Sequence, residues 1–122
     1  MTKLVLTVDD SRTMRDMLRH ALSEAGYRVV QAVDGVHGLE VLADGETPDV
    51  IVTDINMPRM DGFGFIEGVR RSDRHRATPI LVLTTESDAE KKTRARQAGA
   101  TGWIVKPFNP AKLVDALRRV AA

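Results

Sequence analysis

The chain has 122 residues, of which 43% are hydrophobic and 29% are charged, and its formal net charge is +1. This length fits one domain with a hydrophobic core, and the near-neutral balance excludes a global charge that would drive binding to nucleic acid. The absence of cysteine excludes a disulfide framework and a zinc–thiolate site. No stretch approaches the roughly 20 apolar residues of a membrane helix, and the short apolar run at the N-terminus is not a signal peptide. We therefore expect one stand-alone domain over residues 1–122, cytoplasmic and monomeric, without direct nucleic acid or membrane binding.

Short apolar runs rich in β-branched residues alternate along the chain with longer amphipathic runs. The apolar runs are continuous rather than alternating, which is typical of strands buried on both faces of a parallel sheet. Five strands are predicted, at Leu4–Val8, around Val29–Val30, and at Val50–Thr53, Ile80–Leu83 and Trp103–Val105.

Between these strands, apolar residues recur at helical spacing. Five helices are predicted, at Ser11–Ala25, Gly35–Ala43, Gly62–Arg71, Asp88–Ala98 and Pro110–Val120. The first helix has a buried stripe that includes Met17 and Leu18, and a glycine follows both the first and the fourth helix, as is common at helix C-termini. Five βα units indicate an α/β fold in which an open, doubly wound parallel sheet carries helices on both faces.

Polar residues follow the predicted strands, where ligands of open parallel sheets bind. Asp9 and Asp10 follow the first strand, Asp54 the third and Thr84 the fourth, and Lys106 comes at the end of the fifth. Three carboxylates held together repel one another, and a cation relieves that repulsion. Because the donors are all oxygens, with no His or Cys nearby in the sequence, the pattern favours a hard ion such as Mg²⁺.

Lys106 indicates what else this edge of the sheet binds. An ammonium beside a metal complements a phosphoryl group, and phosphoryl transfer depends on positioning and charge neutralisation. A carboxylate can act as the nucleophile and form an acyl phosphate. Asp54, on the central strand, is the predicted acceptor, with Asp9 and Asp10 as metal ligands and Thr84 as a hydrogen-bond partner of a phosphoryl oxygen.

These residues, the turn Met57–Gly62 and the Lys106–Pro107 pair resemble the response-regulator receiver family, in particular its single-domain chemotaxis members of the CheY type. The resemblance covers essentially the whole chain and implies a five-stranded sheet of order 2-1-3-4-5 with five helices, a flavodoxin/CheY-like fold. It also implies that Asp54 receives phosphate from a histidine kinase of the CheA type and becomes a 4-aspartylphosphate.

By the same resemblance, Asp10, Asp54 and the Asn56 carbonyl ligate Mg²⁺, and Asp9 acts largely through water. Lys106 pairs with the phosphoryl group, and its bond to Pro107 is expected to be cis. Asn56 and Glu86 tune hydrolysis of the acyl phosphate, so the protein assists its own phosphorylation and autodephosphorylation without being an enzyme.

The resemblance further implies a switch. Thr84 is drawn toward the phosphoryl group, which makes room for an aromatic residue to turn inward; this residue is Trp103, where the family usually has Tyr or Phe. The output surface is the face of helix four, strand five and helix five, and the basic residues of helix four fit an acidic segment of a partner such as the flagellar motor switch protein.

Simpler interpretations exist for each residue. Asp9 and Asp10 are also helix-capping residues, Asp54 also suits a turn, and Lys106 also suits a surface. Thr84 also fits a role in satisfying loop backbone, and Trp103 one in packing. Only the ordered set of residues points to the receiver family.

Other functions compete with chemotaxis. A phosphate sink and a receiver outside chemotaxis use the same site. A Mg²⁺-dependent phosphatase with an aspartyl nucleophile is a rival of another class, although such enzymes usually place two aspartates two residues apart after the first strand. A flavodoxin-like binding module is disfavoured because the two aspartates would repel a flavin phosphate, and the Walker pattern is absent.

Overall fold

A computed structural model describes residues 2–121, so the first and last residues of the predicted domain lie outside the described residues. The strands are β1 (Leu4–Val8), β2 (Arg28–Ala32), β3 (Val50–Thr53), β4 (Ile80–Thr84) and β5 (Gly102–Val105). The α-helices are α1 (Arg12–Glu24), α2 (Gly35–Ala43), α3 (Gly62–Arg71), α4 (Ala89–Ala98) and α5 (Pro110–Val120), with a 3₁₀ turn at Asp73–His75. The predicted βα alternation is confirmed.

The five strands form one parallel sheet in the order β2-β1-β3-β4-β5, which confirms the predicted order. Val8 pairs with Thr53 across β1 and β3, and Thr84 pairs with Val105 across β4 and β5. The residues that follow these strands therefore lie at one edge of the sheet. This register is what brings the predicted polar residues together.

Apolar side chains fill both sides of the sheet. On one side, Leu18 and Leu22 of α1 and Leu117 of α5 pack against the strands. On the other side, the packing residues include Phe65 and Ile66 of α3. Each such side chain, when fully buried, stabilises the fold by about 1.5–3 kcal/mol. Every residue of β1, β3 and β4 is buried, as continuous apolar runs predict.

The two edge strands depart from the prediction. β2 covers Arg28–Ala32 and is half-exposed. It is longer than predicted, because its polar residues interrupt the apolar run in the sequence. β5 is also only half-buried, and Val105 is 40% exposed. Each edge strand has one neighbour, so its outer side meets solvent. Met17, predicted on the buried stripe of α1, is 49% exposed, whereas Leu18 and Leu22 are the buried residues of that helix and Met14 is partly buried against them.

Side-chain caps fix where the helices begin. Ser11 accepts a hydrogen bond from the main-chain N–H of Met14, so α1 starts one residue later than predicted. Asp88 caps α4 through the N–H of Glu90 in the same way. These caps end the loops at the carboxyl edge of the sheet and set the length of chain that is available to form a site.

Candidate functional site

Three carboxylates gather at the carboxyl edge of the sheet. One oxygen from each of Asp9, Asp10 and Asp54 lies within 4.8 Å of the other two. Asp9 is 2% exposed and Asp54 is 9% exposed, while Asp10 faces solvent. The cluster is thus buried on one side and open on the other. This arrangement fits Mg²⁺, which prefers oxygen ligands and keeps several of its waters.

Lys106 lies between the two buried carboxylates. Its Nζ is 2.8 Å from Asp54 Oδ2 and 2.9 Å from Asp9 Oδ2, and its side chain is 10% exposed. Burial opposes the charged ammonium, but the hydrogen bonds from Lys106 to Asp54 and Asp9 outweigh it, so the pKa of Lys106 is raised. The peptide bond from Lys106 to Pro107 is cis.

The other oxygens of the buried pair are held by main-chain N–H groups. Asp9 Oδ1 accepts from the N–H of Ser11 at 2.9 Å, and Asp54 Oδ1 accepts from the N–H of Ile55 at 2.6 Å. Arg15 adds a hydrogen bond of 2.8 Å to the Asp9 carbonyl. Burial raises the pKa of the Asp9 carboxyl, although the Ser11 N–H and Lys106 act in the opposite direction. Both carboxylates are therefore fixed in orientation.

The loop between β4 and α4 brings the remaining candidates together. Thr84 is buried, and its hydroxyl accepts a hydrogen bond from the N–H of Glu86 at 3.3 Å. Asn56 Nδ2 donates to Glu86 Oε1 at 3.2 Å, and Trp103 Nε1 donates to the Glu86 carbonyl at 3.0 Å. Glu86 is therefore in contact with Asn56 from the loop after β3 and with Trp103 from β5.

Two basic residues near the site, Arg59 in a loop and Lys91 on α4, have partners that the sequence did not reveal. Lys91 Nζ is 3.0 Å from Glu86 Oε1, and this bond, followed by that of Asn56, lowers the pKa of the Glu86 carboxyl. Arg59 makes two hydrogen bonds to Asp34, of 2.7 and 2.9 Å, and they lower the pKa of that carboxyl. Lys91 was assigned only to a basic helix face, and Arg59 carried no sequence signal.

The geometry suits phosphoryl chemistry. A buried carboxylate on a central strand lies beside an ammonium and two further carboxylates, with one open side. Such a set has the charges and oxygen donors to hold a divalent cation and to neutralise a phosphoryl group next to a potential nucleophile. Fold and site together define a doubly wound α/β domain with a cluster of three aspartates and a lysine at the carboxyl edge of its sheet.

Comparison with known proteins identifies the family to which this domain belongs. The model of the response regulator receiver domain matches residues 5–118, and the chain belongs to this family. It is similar to the chemotaxis protein CheY1 of Helicobacter pylori, with 39% identity over 117 residues that cover 95% of this chain and 94% of that protein. The chain is therefore CheY-like, and as a receiver it is a phosphoryl acceptor rather than an enzyme in the usual sense.

Solved structures agree with this assignment. The crystal structure of the chemotaxis protein CheY4 of Vibrio cholerae has a TM-score of 0.93 and 48% identity, and the match covers 98% of this chain and 99% of that one. The receiver domain of a sensor histidine kinase from Pseudomonas aeruginosa, with magnesium coordinated in its active-site cleft, has a TM-score of 0.90 and 27% identity, with both chains covered completely. In the described part of this chain, no helix is both long and apolar enough to cross a membrane.

Proposed function

We propose that this response regulator accepts a phosphoryl group on Asp54 from a histidine kinase of the CheA type, with Mg²⁺, in a chemotaxis phosphorelay. The observation that carries the proposal is the position of Lys106, whose ammonium lies 2.8 Å from Asp54 Oδ2 within the acid cluster. The similarity of the chain to chemotaxis proteins over most of its length supports a place in a chemotaxis phosphorelay.

Asp54 is the best candidate for the nucleophile. It directly follows the central strand β3, and the N–H of Ile55 and the ammonium of Lys106 hold its two oxygens. A carboxylate oxygen of Asp54 attacks phosphorus, and the bond from phosphorus to the donor imidazole nitrogen breaks. The electron pair of that bond returns to the imidazole, and the product is an acyl phosphate.

The cation site would use the three clustered carboxylates and the main-chain carbonyl of Asn56. When bound, Mg²⁺ would supply positive charge that offsets the negative charge on the oxygens of the transferred phosphoryl group. Asp10 is the exposed member of the cluster and leaves room for water. Lys106 then pairs with a phosphoryl oxygen, and the hydroxyl of Thr84 donates to another.

Output is proposed at the face formed by α4, β5 and α5. Trp103 lies on β5 and donates to the carbonyl of Glu86, so a change in the β4–α4 loop reaches this face directly. Helix α4 adds four basic residues, Lys91, Lys92, Arg94 and Arg96. These properties suit an acidic partner segment, and we propose the flagellar motor switch protein as that partner.

The test is transfer of labelled phosphate from purified histidine kinases, with Mg²⁺, to the parent protein and to Asp54→Asn. We expect one label per parent chain and none on the variant. Labelling of Asp54→Asn to the parent level would contradict the proposal, as would sustained turnover of a small phosphomonoester. Capture of the motor switch protein by the beryllofluoride-treated form separates a motor regulator from a phosphate sink, which takes label and binds no such partner.

A further inference from the structure

The Glu86 carboxylate is shared by side chains from two distant parts of the fold. Its Oε1 accepts a hydrogen bond from Asn56 Nδ2 at 3.2 Å and lies 3.0 Å from Lys91 Nζ. Asn56 follows Asp54 by two residues, whereas Lys91 lies on α4. A single carboxylate oxygen thus connects the rim of the acid cluster to a helix of the proposed output face.

The main chain of Glu86 is anchored separately. Its N–H donates to the Thr84 hydroxyl at 3.3 Å, and its carbonyl accepts from Trp103 Nε1 at 3.0 Å. The side chain of Glu86 has its two polar contacts with Asn56 and Lys91. The direction of the Glu86 side chain therefore depends on these two partners, and Lys91 is the only charged one.

The ion pair is poorly placed to serve stability. The side chains of Lys91 and Glu86 are 40% and 28% exposed, and pairs as open as this contribute little to folding. The pair also joins a loop to a helix rather than two turns of one helix, and Asp88 already caps that helix. The main effect of Lys91 is to fix where the Glu86 carboxylate lies.

Building on the proposed function, we propose that Lys91 is a positioning residue for hydrolysis of the acyl phosphate, because it holds the Glu86 carboxylate against the Asn56 amide. In this hydrolysis the oxygen of a water molecule bonds to phosphorus while the bond from phosphorus to the Asp54 oxygen breaks. The electron pair of the broken bond returns to the Asp54 carboxylate. One proton of the water stays on the attacking oxygen, and the other passes to another oxygen of the released phosphate.

Lys91 acts through Glu86 and touches neither the phosphoryl group nor the water. With Lys91 in place, Asn56 has a fixed amide orientation at the rim of the site. Without it, Glu86 turns to solvent, Asn56 loses its partner, and the attacking water is less well placed. Small displacements of reacting groups slow reactions by up to about 10²-fold.

The test compares the parent protein with Lys91→Met, Lys91→Arg and Lys92→Met. Lys92 is the matched control, because it is the next residue of α4, is exposed, and has no ion pair within the described residues. The assay contains no partner protein, so the place of Lys92 on the proposed output face does not affect the loss of label. Each protein is labelled with acetyl phosphate and Mg²⁺, the donor is removed, and loss of label is followed. We expect about tenfold slower loss for Lys91→Met, parent behaviour for Lys92→Met and recovery for Lys91→Arg.

A double variant, Glu86→Leu with Lys91→Met, should lose label no more slowly than Glu86→Leu alone, because both substitutions interrupt one chain of contacts. In the unphosphorylated protein, the side-chain amide signal of Asn56 in a ¹H–¹⁵N spectrum should move in Lys91→Met and stay in place in Lys92→Met. This readout requires no phosphate, so it tests the contacts independently of the proposed function.

The outcomes are separable. If the parent takes label and Lys91→Met loses it at the parent rate, the role of Lys91 is overturned while the proposed function stands. Equal slowing by Lys92→Met would assign the effect to helix charge and would also overturn it. A parent that takes no label from any donor refutes the proposed function and the hydrolysis role with it. An Asn56 amide that does not move in Lys91→Met overturns the contact chain itself.

Discussion

The ammonium of Lys106 lies within 2.9 Å of the Oδ2 atoms of both Asp9 and Asp54. The lysine therefore stabilises the cluster when no metal is bound and competes with a cation for its oxygens. These two effects have opposite consequences for a variant that lacks the charge.

Lys106→Met should lower the free energy of unfolding without Mg²⁺ by about 1–3 kcal/mol, since two buried carboxylates lose a partner. The same variant should bind Mg²⁺ about tenfold more tightly, which corresponds to about 1.4 kcal/mol. Urea denaturation with and without Mg²⁺ measures both effects. Lys112→Met, at an exposed position of α5, is the control, and equal Mg²⁺ affinity in Lys106→Met and parent would contradict the competition.

Gly62 makes room for the main chain of the acceptor. A methyl group at this position would clash with the Asp54 carbonyl oxygen and would lie 2.8 Å from Ile55 Cα. Gly62→Ala should therefore cost about 1–3 kcal/mol of stability and weaken Mg²⁺ binding, because Asp54 must move. Gly64→Ala is the control, since its methyl group would meet side chains and no main chain, with Met60 Cγ at 3.1 Å and Asp61 Oδ1 at 3.6 Å. Similar losses of stability and Mg²⁺ affinity in the two variants would show that alanine destabilises helix α3 at either position, independently of Asp54.

The ion pair between Arg59 and Asp34 should make the free energy of unfolding depend on pH in the acidic range. The pKa of Asp34 in the folded protein lies below its ordinary value of 3.8, chiefly because Arg59 donates to the carboxylate. The paired carboxylate therefore stabilises the fold at any pH above the ordinary value, and this contribution is lost as the pH falls through the lowered pKa. Arg59→Gln should be less stable than the parent at pH 7, and the difference should shrink in acid.

Denaturation at a series of pH values measures this difference. Arg76→Gln is the control, because the pair between Arg76 and Asp73 is exposed, with 72% and 86% of the two side chains accessible. A gap between Arg59→Gln and parent that stays constant as the carboxylates are protonated in acid would show that the carboxylate charge of Asp34 is not its source.

Trp103 should report the state of the site. It is the only tryptophan, and its indole N–H donates to the Glu86 carbonyl in the loop that follows Thr84. Adding Mg²⁺ and beryllofluoride should pull Thr84 inward, shift this loop and change the fluorescence of Trp103. Asp54→Asn should show no such change. Identical spectra of the parent before and after addition would mean that Trp103 is uncoupled from the acceptor.

The sequence predicted the buried strands and the acid cluster because both depend on local patterns. A continuous apolar run followed by an aspartate, as at Val8–Asp9 and Thr53–Asp54, marks the end of a buried parallel strand. The register of the sheet then brings those ends together without further information. Chemistry that depends on strand ends can be predicted as soon as the fold class is known.

Contacts between loops could not be predicted in the same way. The pairs Arg59–Asp34 and Lys91–Glu86 depend on the path of the loops that contain Arg59 and Glu86, and neither pair follows from a regular sequence spacing. Arg59 also has a φ of 64°, a conformation that is rare outside glycine and asparagine. The edge strand β2 was underestimated because its solvent-facing residues break the apolar run.

The packing of the sheet divides the site into two parts with different mechanical freedom. Asp9 and Asp54 extend from strands that are clamped by helices on both sides, so their separation is set by the whole core. Glu86 and Lys91 depend on a few half-exposed contacts. Under the proposed role of Lys91, we expect substitutions in this loop to alter how long the phosphorylated state lasts while the affinity for Mg²⁺ stays the same, which would let response times diverge on one unchanged framework.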